Sequence, residues 1–364
     1  MNFMSEENST VQDRAMGALM GAFVGDALGV GPHWYYNLDE LRHDYGEWID
    51  DYTEPKRGRY HEGLSAGDPS QQGFLMRLTL ESLVDNEGYD QDDFCRRFDE
   101  VLFPLLDGTP VNGPGGYTSQ SIREVWRQRT QQGLGWEHTG GNADNTEALE
   151  RNIAIAVQYF NDLPKLAEMV TANTNLTHTD ETVVSMTTAF CIILGLLIQG
   201  ESLDDQVAMK LMTMVRSGEL PFHSITRDNE AAPQKGDDDP PRAGRFASPD
   251  ALMQSTTAAR AALDPGINIE PAWKASIVYG LPCAIYYQVP AAYYLAARFK
   301  GDFESAVLHA INGGGQNQSR AILTGALAGA QVGLSGIPKR FIEGLNCSEE
   351  LIILSQQLTS KITN

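Results

Sequence analysis

Apolar residues along this chain recur at three- and four-residue spacing, and strictly alternating runs are nearly absent, so the pattern predicts an all-α protein. Two stretches stand apart because glycine recurs at every fourth position. The first, GALMGAFVGDALG, carries Gly17, Gly21, Gly25 and Gly29. The second, INGGGQNQSRAILTGALAGAQVGLSG (311–336), carries Gly325, Gly329 and Gly333. GALMGAFVG and GALAGAQVG differ at only two places. Glycines four apart share one helix face without side-chain bulk, which lets a second backbone approach closely. The expectation is two small-faced helices, one from each end of the chain, packed against each other. Asn312–Gly315 should lie outside any helix interior, and such a turn entering a helix N-terminus is expected to offer backbone N–H groups to an anion or polar ligand.

The remaining elements follow in order. Gly31-Pro32 stops the first helix, and His33-Trp34-Tyr35-Tyr36 forms an aromatic loop. Residues 46–69 are loop-like, and Ser70 is placed to cap a helix carrying Phe74, Leu75, Leu78 and Ser82. An amphipathic helix is expected over 91–106, with Phe94, Phe98, Val101 and Leu105 on its apolar side. A polar helix spans about 119–131, another begins at Asp144 or Asn145, and Pro164 opens the next. His178-Thr179-Asp180-Glu181 precedes an apolar core helix over 183–198, and helical patterns resume at 248–263, 271–280, 290–299 and 302–311. Only 228–247 reads as low in order, a surface excursion rather than a linker. Because the two glycine-patterned helices tie the ends together, residues 1–364 are expected to form one domain.

Charge narrows the choice of partner. A formal net charge of −21 disfavours nucleic acid and anionic membrane, since phosphate recognition needs clustered Lys and Arg. Four dispersed cysteines form neither a zinc motif nor a dense disulfide framework, and a reducing, cytoplasmic setting is expected. The polar N-terminus is not a signal peptide, and 183–198 reads as buried core rather than a membrane span. Among single residues, Asp26 draws notice because a carboxylate in the last turn opposes the helix dipole and needs a compensating group. His33, His61 and His309 stand alone by spacing. Thr179 or Asp180 can cap the following helix, and Glu181 suits its dipole.

Three segments together resemble the ADP-ribosylglycohydrolase family. GALMGAFVGDALGV is similar to that family's N-terminal glycine motif, and SQQGFLMRLTLESL is similar to the helix that opens on its TDDT motif. GGGQNQSRAILTGALAGAQVG with the following IPKRF is similar to its C-terminal GGDTDT motif. The resemblance spans nearly the whole chain and implies a compact all-α multi-helical bundle. In the family, aspartates of these motifs hold a pair of divalent cations, usually magnesium, at the ADP-ribosyl substrate. Here Ser70, Gln71, Gln72 and Gly73 stand at TDDT, and Gln316 and Gln318 replace the GGDTDT aspartates, with Ser319 for the last threonine. A glutamate that follows the first motif falls near His33. GGQNQ in place of GGDTD is similar to the branch holding J-type crystallins and selenoprotein-J-like proteins.

Magnesium needs hard, mostly anionic oxygens at short distances, so replacing four carboxylates by amides argues against the two-metal site. Amides can instead bond one another without mutual repulsion. The expected site is degenerate for metal at Gln71, Gln72, Gln316 and Gln318. It becomes a ligand pocket of Ser70, Gln71, Gln72, Asn312, Gly314, Gly315, Gln316, Asn317, Gln318 and Ser319, with no cofactor and a small nucleotide or sugar as partner. Three readings stay open. One is a cation-free ligand-binding or structural, crystallin-like pseudoenzyme. A second is a metal-free hydrolase drawing acids from Asp26, Asp68, Asp144, Asp180 or Glu181, with His33 or His178 assisting. The third is a magnesium hydrolase with unusual ligands.

Overall fold

In the computed structural model, which describes residues 10–224, 235–236 and 244–360, sixteen α-helices and no strand occur among the described residues. They are α1 (Val11–Val30), α2 (Leu38–Tyr45), α3 (Gln71–Asp85), α4 (Gln91–Arg97), α5 (Gln120–Thr130), α6 (Glu147–Tyr159), α7 (Leu163–Asn175) and α8 (Glu181–Gln199). The second half adds α9 (Asp205–Arg216), α10 (Asp250–Leu263), α11 (Ala275–Tyr279), α12 (Ile285–Arg298), α13 (Phe303–Asn312), α14 (Asn317–Val332), α15 (Lys339–Glu343) and α16 (Ser348–Thr359).

The glycine-patterned helices α1 and α14 lie antiparallel at the centre. Every residue from Ala15 to Val30 is buried, as is every residue from Asn317 to Ala330. Helices apolar and small all round have no solvent face to present, which is why they sit inside. A Cβ on Gly21 would stand 2.2 Å from the carbonyl oxygen of Gly325, and one on Gly325 would stand 2.1 Å from that of Gly21. Gly17 meets Gly329 in the same way, Gly25 meets Ala321, and Gly29 meets the Cα of Gln318. The last pair matters most here, because it brings the end of α1 onto the first turn of α14. Around this pair, α3, α6, α8, α12, α13 and α16 pack into one continuous apolar core. A smaller cluster joins α3, α4 and α5 through Leu75, Phe94, Phe98, Ile122 and Val125.

Two local expectations are corrected. The helix expected over 91–106 is α-helical only to Arg97, then widens to a π-turn at Phe98–Leu102 and tightens to a 3₁₀ turn at Phe103–Leu105. The wide turn advances the buried register by one, so Leu102 faces the core while Val101 and Leu105 are exposed. Asn312 is the last residue of α13 rather than part of the turn, which is confined to Gly313–Gly315. The excursion expected at 228–247 lies mostly outside the described residues. Its returning end is held where the His223 amide donates to Phe246 O at 2.8 Å and Arg245 pairs with Glu181 at 2.8 Å. Helix α8 is the one described helix long and apolar enough to cross a membrane, and its side chains are spent on the core.

Candidate functional site

The ends of α1, α3 and α14 meet in a buried polar cluster. Asp26 points from the last turns of α1 to the start of α3, accepting from the Ser70 amide at 2.9 Å and the Ser70 hydroxyl at 2.5 Å. The carboxylate therefore sits at the positive end of another helix, the compensation that its own helix dipole calls for. Gly73 makes this possible: a Cβ there would lie 2.2 Å from Asp26 Oδ2. From the other side, Gln318 Nε2 donates to Asp26 Oδ1 at 3.2 Å. Burial still outweighs these bonds and raises the Asp26 pKa to about 6.

Each of the four amides bonds the protein through at least one of its ends. Gln71 turns towards the start of α5, accepting from the Ser119 amide at 2.8 Å and donating to Thr118 Oγ1 at 3.2 Å. Gln72 lies with its Oε1 3.2 Å from the Ser70 hydroxyl. Gln316 accepts from the indole N–H of Trp34 and donates from Nε2 to Ser319 Oγ at 2.9 Å. Gln318 faces Asp26 with its N–H side. Among the described residues, no three His, Cys, Asp or Glu side chains converge as a metal-ligating group.

The glycine turn departs from expectation. Gly314 and Gly315 adopt φ of 65° and 63°, a conformation that favours glycine, yet the turn's amides are not offered outward. Gly314 N–H donates to Ile311 O, Gly315 N–H to Tyr35 O, and Gln316 N–H to Leu281 O. Closing the turn onto its neighbours satisfies these donors within the fold. Asn312 leaves the cluster as well, clamping both the amide and the carbonyl of Ile49. Asn317 donates to Pro32 O and Ile311 O, while its buried Oδ1 has no partner.

The other candidate acids are dispersed. Asp180 is the exposed N-cap of α8, accepting from the Thr182 and Val183 amides, and Glu181 pairs with Arg245 at the surface. Asp68 bonds Ser65 and Asn346, and Asp144 accepts from Tyr286 at 2.7 Å. His178 is buried between Thr177 and Asn145, its pKa pushed down to about 3. His33 does join the cluster, with Nδ1 2.6 Å from His61 Nε2 and Nε2 3.3 Å from Gln316 Oε1. Trp34, itself at φ 62°, meets Tyr60 and Tyr117 edge-on at 4.4 and 4.8 Å between centroids, and Tyr60 and Tyr36 are exposed beside them.

Several members lay outside the sequence expectation. Glu150 on α6 is fully buried, and Thr146 donates to its Oε1 at 2.6 Å. Burial first, then the charges of Glu147 and Asp26, raise its pKa to about 7, against the Ser319 and Thr146 hydroxyls. Glu147, one turn earlier, is neutralised by Arg151 at 2.8 Å. Arg320, also fully buried, holds Ala310 O, Gln288 Oε1 and Gly314 O beneath the glycine turn. Glutamates in a helix's first turn read as dipole partners, so no sequence signal marked Glu150.

An all-helical bundle whose polar cluster joins the ends of α1, α3 and α14 defines the class. Residues 7–364 match the ADP-ribosylglycohydrolase family, and the chain belongs to it. A protein of Archaeoglobus fulgidus described as uncharacterized is 23% identical over 349 residues, covering 96% of each chain. A solved structure titled "ADP-ribosylglycohydrolase-related protein complex" superposes with a TM-score of 0.61 at 20% identity, covering 96% of this chain and 98% of the other. This likeness shows the shared fold.

Proposed function

We propose that this chain is a cation-free member of the ADP-ribosylglycohydrolase family whose rebuilt cluster binds a small nucleotide or sugar ligand. The observation that carries the reading is the seat of Asp26. Its carboxylate occupies the N-terminus of α3, in space that Gly73 leaves open, and Gln318 presents N–H rather than oxygen to it. A magnesium pair does not fit this donor set. Only one carboxylate of the motif helices, Asp26, reaches the cluster, and the amides bond the protein. A hard cation between Gln318 and Asp26 would face a donor instead of a lone pair. Small molecules suit the site better than nucleic acid or a membrane, given the net charge of −21, and a cytoplasmic setting agrees with four free cysteines.

A second reading has one observation in its favour. Glu150 is a buried acid with a pKa raised to about 7, so it is protonated over part of the neutral range. A neutral carboxyl beside a bound glycoside is what metal-free hydrolysis requires of a general acid.

Isothermal titration with magnesium chloride, with and without ADP-ribose, separates the readings. The cation-free pocket predicts no magnesium heat and retained ADP-ribose binding. Stoichiometric magnesium binding overturns it. Binding of neither leaves a structural, crystallin-like role, and slow release of ribose products without metal supports the Glu150 reading. Gln316→Asp should not create a magnesium site, because Gln318 and the α3 amides remain unsuited.

A further inference from the structure

Asn-Gly occurs twice in this chain, at Asn112-Gly113 and at Asn312-Gly313, and the fold treats the two in opposite ways. A glycine nitrogen has no side chain beside it to shield it, so it can reach the carbonyl carbon of a preceding asparagine side chain when both can move. At 312 neither can. The Asn312 amide accepts from Ile49 N–H at 2.9 Å and donates to Ile49 O and Leu308 O at 2.8 and 2.9 Å. Gly313 N–H is turned onto Ile311 O, and a Cβ on Gly313 would stand 2.2 Å from Ser276 Oγ. At 112 the side chain is exposed and lies outside any helix, in the loop leading to α5. Among the described residues, this side chain bonds only through Nδ2, to Asp107 Oδ2 at 2.9 Å, and Gly113 N–H has no acceptor.

We propose that Asn112 is a site of spontaneous covalent modification, losing its side-chain amide to attack by the Gly113 nitrogen. A bond forms between Gly113 N and Asn112 Cγ, the Cγ–Nδ2 bond breaks, and the Gly113 proton leaves with Nδ2 as ammonia. Water then opens the cyclic imide at either carbonyl, returning a proton to the nitrogen and leaving aspartate or isoaspartate at 112. No oxidant or reductant takes part. Both products lose the amide hydrogen that Asp107 accepts and gain a carboxylate near it, so attraction gives way to like-charge repulsion. Isoaspartate also lengthens the main chain by a carbon, and the loop has no slack for it. Thr118 Oγ1 donates to Asn112 O at 2.6 Å and accepts from Gln71 Nε2 at 3.2 Å. A Cβ on Gly115 would stand 2.2 Å from Gln71 N, and Gly115 O is held by His61 at 2.6 Å. Modification at 112 therefore reaches Gln71 through Thr118 and loosens one wall of the polar cluster, whatever that cluster binds.

The test incubates the full chain at mildly alkaline pH, folded and in urea, and follows both asparagine peptides by mass spectrometry. In the folded protein Asn112 should convert at least about tenfold faster than Asn312, whose clamp must open before it can react. In urea the two rates should fall within about threefold of each other, since the fold no longer separates them. Hydrogen exchange at the Ser119 amide, which Gln71 Oε1 accepts at 2.8 Å, reads the effect on the cluster. It should quicken in the converted protein and stay slow in Asn112→Gln carried through the same incubation, because the longer glutamine side chain closes the ring far less readily. Equal rates at the two asparagines in the folded protein, or conversion of Asn112 in urea alone, overturn the modification site. Ser119 exchange that is unchanged after conversion, or that quickens equally in Asn112→Gln, overturns its reach to Gln71.

Discussion

Replacing Gly21 by alanine tests what holds the centre of the fold. Taken alone, the substitution favours the helix, since alanine in a helix interior is better than glycine by about 1 kcal/mol. The structure reverses the sign. The new Cβ would stand 2.2 Å from Gly325 O and 3.0 Å from a ring carbon of Phe303, whereas ordinary contact begins near 3.4 Å. The obstacle is backbone of a helix buried on every side, so α1 and α14 must separate by about 1 Å or shift in register. Overpacking of this kind costs roughly 1–3 kcal/mol, and a backbone obstacle places it at the upper end. After the helix-propensity gain, the expected net loss is about 2 kcal/mol. Gly195→Ala in α8 is the control. Its Cβ would meet the mobile tips of Leu163 and Leu166 at 3.1 and 3.3 Å, so its stability should stay within about 0.5 kcal/mol of wild type. Urea unfolding reads both, Gly21→Ala lowering the midpoint by roughly half a molar at unchanged slope. A Gly21→Ala protein as stable as wild type would refute the close-approach argument.

Two further tests address the site. Glu150 has a folded pKa raised from 4.5 to about 7, so the folded state binds its proton more firmly than the unfolded chain. Its favourable contribution is present below pH 4.5 and is lost as pH rises through 7, where the buried charge costs on the order of 3 kcal/mol. Glu150→Gln should therefore match wild type in urea unfolding at pH 4.5 and exceed it at pH 8; an equal difference at both pH values contradicts the assignment. Gly314→Val forces a β-branched residue to φ 65° with its Cβ 2.5 Å from Leu38 Cδ2 and 2.7 Å from Tyr35 O. It should cost at least about 2 kcal/mol in thermal unfolding, against about 1 kcal/mol for Gly301→Ala, where φ is 81° but nothing lies near.

The glycine spacing in α1 and α14 was legible because a period of four has one structural meaning, a face without side chains, and both ends of the chain carried it. The caps at Ser70 and Asp180 were legible for the same local reason, since a cap is decided within three residues. The 98–105 segment was not. Its apolar spacing admits both an α and a π register, and only packing against Ile122 and Val125 selects the one that buries Leu102. The loss of aspartates at Gln71, Gln72, Gln316 and Gln318 could be read from the chain, but not the direction in which each amide turns. Gln71 faces α5 while Gln318 faces Asp26, a difference set by what lies opposite each helix end.

Sequence by itself determined the helical class, the pairing of the glycine-patterned helices and the chemical types available at their ends, because these follow from periodicity and residue identity. Tertiary structure alone decided that Asp26 rests on the start of α3, that Glu150 is buried beside it, and that His33 meets His61. Each of those contacts joins residues 28 to 124 positions apart. Their charge states depend on burial and on the donors opposite them, quantities that exist only once the helices have packed.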